Sequence, residues 1–74
     1  MGELRILGKE GDTKVIWDPE NRDEVKAARE QFDALKGKGF LAFEVKNKGD
    51  KGSEIKKFDP EAGKIILTPP IMGG

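Results

Sequence analysis

Residues 64–74, KIILTPPIMGG, contain the most apolar strand-like run of the chain and the tail that follows it. The aliphatic side chains of residues 64–68 predict a strand in the central part of a sheet. Pro69 and Pro70 end the regular structure, because proline has no backbone N–H to donate, and they favour an extended conformation. We therefore expect one globular domain over residues 1–68 and an extended tail over residues 69–74.

Four further strands are predicted upstream of this segment. Residues 3–7 and 13–17 are rich in aliphatic and β-branched side chains and flank a glycine-containing loop, which indicates a β-hairpin. Residues 40–45 and 54–58 predict the third and fourth strands. Between the second and third strands the apolar residues recur every three or four positions, which predicts a helix.

This helix has two possible starts and is expected to end near Lys36. Either Asp18 caps it with Pro19 in the first helical position, or Asn21 caps it and Glu24 closes a capping box. Apolar side chains three or four residues apart form one stripe along the helix, as expected for packing on a sheet. They are Val25, Ala28, Phe32 and Leu35.

The order strand, strand, helix, strand, strand, strand predicts a single small α+β domain. One amphipathic helix would pack on one face of a mixed sheet. The turn at residues 59–63 leaves a second topology open, because its proline and glycine are typical of a tight hairpin between the fourth and fifth strands. The last three strands would then form an antiparallel meander.

The composition argues against several classes of function. The chain has 74 residues with 14 basic and 14 acidic side chains, and it contains no histidine and no cysteine. Thiolate nucleophiles, cysteine-based metal sites and Ser-His-Asp relays are therefore excluded. We expect a protein that is not an enzyme and that has no metal site and no cofactor.

Charge and hydropathy bear on partners and location. A net charge of zero argues against nucleic-acid binding, which usually requires a basic excess. No apolar run approaches the roughly 20 residues needed to span a bilayer, so no membrane partner is expected. These features predict a cytoplasmic protein.

The ending at residues 64–74 resembles the closing segment of the molybdopterin-synthase small subunit and of the thiamine-pathway sulfur carrier. Both belong to the β-grasp superfamily, which includes ubiquitin. In that superfamily a last apolar strand leads into an extended tail, often with a Pro-Pro pair, that ends in Gly-Gly. The length of the chain and the predicted order of its elements are also similar.

The resemblance implies a ubiquitin-like modifier or a sulfur carrier. The carboxylate of Gly74 would be adenylated by an activating enzyme and then converted to a thiocarboxylate or joined to an amine of an acceptor protein. Gly73 and Gly74 would form a thread narrow enough to enter the slot of that enzyme.

An open sheet face is expected opposite the helix, and we predict that it binds a protein. Its candidate residues are Ile16, Phe40, Ala42 and Ile66. A second interpretation is a small non-enzymatic binding or structural module, such as a phage or mobile-element accessory protein, with a passive tail. The same face would then bind a partner or form a homo-oligomer.

Overall fold

Five strands form one mixed sheet with a single helix on one of its faces in the computed structural model, which describes residues 1–8, 11–46 and 52–70. The prediction of a small α+β domain is therefore confirmed. The elements are β1 (Gly2–Ile6), β2 (Thr13–Trp17), α1 (Arg22–Gly37), β3 (Leu41–Glu44), β4 (Ser53–Ile55) and β5 (Lys64–Thr68).

The strand order across the sheet is β2-β1-β5-β3-β4. β5 is the central strand, as its apolar sequence predicted, and it pairs in parallel with β1 and antiparallel with β3. The remaining pairs, β1 with β2 and β3 with β4, are antiparallel. β4 lies at the edge beside β3 and not beside β5, so the alternative topology, an antiparallel meander of the last three strands, is wrong.

Contacts of the segment between β4 and β5 explain this topology. The ring of Phe58 packs against Trp17 and Phe32, with centroid distances of 4.9 and 5.8 Å. Trp17 Nε1 donates a hydrogen bond of 2.9 Å to the carbonyl oxygen of Pro60. These contacts hold the segment against the helix-facing core, so its turn residues connect the edge of the sheet to its centre instead of closing a hairpin.

The helix start agrees with one of the two predicted alternatives. Asn21 is the N-cap, and its side chain accepts hydrogen bonds from the backbone N–H groups of Asp23 and Glu24 at 3.1 and 3.2 Å. The Glu24 side chain does not close the box on Asn21. It accepts a hydrogen bond of 2.8 Å from the backbone N–H of Asp18, which fixes the chain as it leaves β2.

The core lies between α1 and the sheet. Trp17 is among its largest members and has no solvent exposure. Gly2 lies directly opposite Trp17 in the β1–β2 pair, and a Cβ added at Gly2 would overlap the indole ring. The ring therefore occupies the space that a side chain at residue 2 would need. The buried core residues are Leu4, Trp17, Ala28, Phe32, Ala42, Ala62, Ile65 and Leu67.

We expect Gly2→Ala to lower the free energy of unfolding by about 2 kcal/mol, because the new methyl group overpacks the indole of Trp17. Gly37→Ala is the matched control, since nothing lies within 4 Å of its Cβ position at the end of α1. It should gain about 0.5 kcal/mol from helix propensity. Urea unfolding followed by tryptophan fluorescence measures both, and equal effects would contradict this packing.

Candidate functional site

The face of the sheet that the helix leaves uncovered is the candidate functional site. Side chains of a strand alternate between the two faces, so the residues beside the buried Leu4, Ile65 and Leu67 point to the open face. The strand registers then place the members of this face in cross-strand rows. They are Glu3, Arg5, Lys14, Ile16, Leu41, Phe43, Glu54, Lys64, Ile66 and Thr68.

Two residues that were predicted on this face lie on the other one. Ala42 is fully buried opposite Leu67, and Phe40 packs partly buried against the same core. The placement of Phe40 and Ala42 on the open face is therefore wrong. Alternation alone separates residues 40 and 42 from residues 41 and 43, but it does not show which pair the helix covers.

Ile16 and Ile66 do lie on the open face. Ile16 is 53% exposed on the edge strand β2, whereas Ile66 is half-buried on the central strand. Whether either residue binds a partner stays a prediction. Leu41 and Phe43 were not among the residues predicted on this face, although the two-residue period of β3 pairs them on one face.

The apolar residues near the centre of this face form a continuous group, the open-face patch, made of Leu41, Phe43 and Ile66. Phe43 lies directly opposite Ile66 in the β3–β5 pair, and Leu41 lies opposite Thr68. Directly opposite residues in an antiparallel pair have Cβ atoms about 5 Å apart, close enough for side-chain contact. Leu41 is 39% exposed, so this patch offers apolar surface to a partner.

Charged residues separate the open-face patch from Ile16. Arg5 Nη2 lies 3.4 Å from Glu3 Oε2, and both residues retain contact with solvent. Ion pairs that stay in partial contact with solvent contribute about 1 kcal/mol or less to stability. Within the part of the chain that the structure describes, Glu3 Oε2 and Arg5 Nε are buried atoms with no hydrogen-bond partner. The open face is therefore apolar on β3 and β5 and charged on the neighbouring β1. Such a division of apolar and charged surface is suited to orienting a bound protein.

The predicted reactive residues, Gly73 and Gly74, lie outside the described residues. The chain that leads to them is described as far as Pro70. Thr68, the last residue of β5, lies opposite Leu41, so the segment that leads to the tail leaves the sheet beside the open-face patch. The start of the tail at Pro69 and Pro70, here called the tail root, and the open-face patch are therefore neighbours at one end of the sheet.

Neither a model of a known protein family, nor a curated protein sequence, nor a solved structure matches this chain. The resemblance carried by residues 64–74 therefore stays a prediction. Over residues 1–8, 11–46 and 52–70, no cluster of three acidic residues is arranged to hold a metal ion. In the same residues the helix is neither long enough nor apolar enough to cross a bilayer.

The same substitution at two positions tests which face is open. We expect Phe40→Thr to cost about 2 kcal/mol of unfolding free energy, because it removes a ring packed on the core. Ile16→Thr should stay within about 0.5 kcal/mol, since Ile16 is largely exposed and threonine keeps the β-branch. Chemical denaturation measures both, and a larger loss for Ile16→Thr would contradict the assignment.

Proposed function

We propose that this chain is a β-grasp protein that serves as a sulfur carrier or ubiquitin-like modifier and is activated at Gly74. The observation that supports this most is the position of β5. It is the last strand of the described residues, it runs parallel to β1 in the centre of the sheet, and it leads directly into the Pro69–Pro70 pair. A central last strand fixes the base of the tail firmly, because its backbone pairs on both sides.

In the proposed reaction the protein is the substrate and a partner enzyme supplies the catalysis. The Gly74 carboxylate attacks the α-phosphorus of ATP, and pyrophosphate leaves, which forms an acyl adenylate. A sulfide-level nucleophile, HS⁻, or an amine of an acceptor protein then attacks the carbonyl carbon and displaces AMP, giving a thiocarboxylate or an amide. Gly73 suits this role because it has no side chain to obstruct a narrow catalytic slot.

The open-face patch is the proposed docking surface for the activating enzyme. Leu41 lies beside the point where the chain leaves β5, so an enzyme that takes up the tail also comes close to the patch. The apolar side chains would supply contact area, and the neighbouring Glu3 and Arg5 would favour one orientation.

Deleting Gly74 should abolish adenylation without affecting the fold. The buried core of the described residues ends at Leu67, so the free energy of unfolding should stay within about 0.5 kcal/mol. ATP–pyrophosphate exchange with the activating enzyme measures the first effect, and urea unfolding measures the second. Exchange at the wild-type rate after the deletion would overturn the proposal.

Mass spectrometry of the protein from its native cell provides the complementary test. Tryptic cleavage after Lys64 releases the peptide that begins at Ile65 and contains the tail, and its mass also shows where the mature chain ends. A thiocarboxylate at Gly74 identifies a sulfur carrier, and a branch on a lysine of another protein identifies a modifier. An unmodified carboxylate in the presence of the activating enzyme argues against both.

A second candidate is a non-enzymatic binding module with a passive tail. It is favoured by the exposure of Ile16 and Leu41, two large apolar side chains on the same sheet face, because exposed apolar surface often marks a protein interface. This candidate needs no chemistry at Gly74.

The second candidate predicts that the double variant Ile16→Thr and Leu41→Thr becomes monomeric or loses its partner, since apolar contact area at the interface is lost. Sedimentation velocity at several concentrations measures the assembly state. The Gly74 deletion is the control and should sediment like the wild type. A wild-type protein that is monomeric and captures no partner would contradict this candidate.

A further inference from the structure

The two edge strands of the sheet differ in length. β4, at one edge, has three residues, whereas β2, at the other, has five and contains no proline. Among the residues that the structure describes, no strand pairs with the outer side of β2. Natural proteins protect an edge strand by shortness, by proline or by charged side chains, because its unpaired backbone groups can pair with another strand. Lys14 is the one charged residue of β2, so this edge has little such protection.

The hydrogen bonds of β1 identify the unpaired backbone groups of β2. The N–H of Glu3 donates a hydrogen bond of 3.2 Å to a carbonyl oxygen on the β5 side of β1. Because the backbone groups of successive strand residues point in opposite directions, those of Leu4 face β2, where Val15 is the opposite residue. The N–H and C=O groups of Lys14 and Ile16 therefore point away from β1, toward the outer edge.

One antiparallel register joins two copies of β2 through all of these groups. When Val15 lies opposite Val15 of a second copy, Lys14 of each copy lies opposite Ile16 of the other, and each of these two pairs exchanges two hydrogen bonds. A shift that places Lys14 opposite Lys14 would bring like charges together. The opposite shift would need the N–H of Asp18, which already donates to the Glu24 side chain. The edge is thus complementary to itself in the first register.

We propose that two copies of this protein associate through β2 in this register, so that their sheets join into one. In the pair, the aliphatic stem of Lys14 covers part of Ile16, which is 53% exposed in the single chain. The contact is symmetric and uses the edge completely, so association stops at two copies. It is also small, so the dimer forms at high protein concentration. The open-face patch and the tail root lie on other strands, and the dimer does not depend on the proposed activation.

Proline at residue 16 tests the backbone contact. Ile16→Pro removes an N–H that points outward, so no hydrogen bond within the protein is lost. One hydrogen bond disappears from each of the two pairs, and the dissociation constant of the dimer should rise at least about tenfold. Ile16→Thr is the matched control, because it keeps the N–H and the β-branch, and its dissociation constant should stay within about threefold of the wild type.

NMR relaxation over a concentration series measures the dissociation constants, and thermal unfolding checks the fold of each variant. If Ile16→Pro does not fold, Lys14→Pro repeats the test, since the N–H of Lys14 also points outward. A wild type that stays monomeric at millimolar concentration, or a dimer that Ile16→Pro leaves unchanged, would overturn the proposal. So would a dimer that both substitutions at Ile16 weaken equally, because the contact would then lie in the side chains of the open face.

NMR of the wild type tests the register itself. Val15 and its counterpart form a pair without hydrogen bonds between them, in which the Cα atoms lie about 4.5 Å apart. A mixture of ¹³C-labelled and unlabelled protein should therefore show an intermolecular NOE between the two Val15 Hα protons. The amides of Lys14 and Ile16 should shift with concentration, and that of Glu54 on β4, at the other edge, should not. A dimer without this NOE, or one that shifts the Glu54 amide instead, contradicts the proposed pairing.

Discussion

The burial of the Trp17 side chain is the interaction on which the rest of this small domain depends. The ring is completely enclosed, it packs against Phe58, and its Nε1 is satisfied by the carbonyl oxygen of Pro60. A buried indole N–H without a partner would cost stability. The segment before β5 therefore runs along the helix-covered face of the sheet, where the carbonyl oxygen of Pro60 accepts this hydrogen bond. This path separates β4 from β5 and leaves the central position of the sheet to β5.

The central position of β5 links the core to the proposed function. One set of its side chains, Ile65 and Leu67, is fully buried, while Ile66 on the other face joins the open-face patch. The same strand thus stabilises the fold, contributes to the candidate docking surface and carries the tail root. A partner that recognises the patch would therefore find the start of the tail close by, because the patch lies on β5 and on β3, which pairs with the end of β5.

Local features of the chain were predictable because they depend on neighbouring residues. The Asn21 cap and the apolar stripe of α1, which buries Ala28 and Phe32, follow from hydrogen-bonding capacity and helical spacing. The topology of the last three strands was not predictable in this way. The turn at residues 59–63 has the composition of a hairpin, and contacts with distant residues, Trp17 and Phe32, direct the segment elsewhere.

The sequence by itself determined the α+β composition, the helix and the central strand, since periodicity and apolar content are properties of single segments. Only the tertiary structure decided which sheet face is open. Alternation along the strand places Phe40 and Ala42 on one face and Leu41 and Phe43 on the other. It does not tell which of the two faces the helix covers. The packing of α1 decides between the two faces, because Ala42 is buried on the side of the helix and Leu41 stays in contact with solvent.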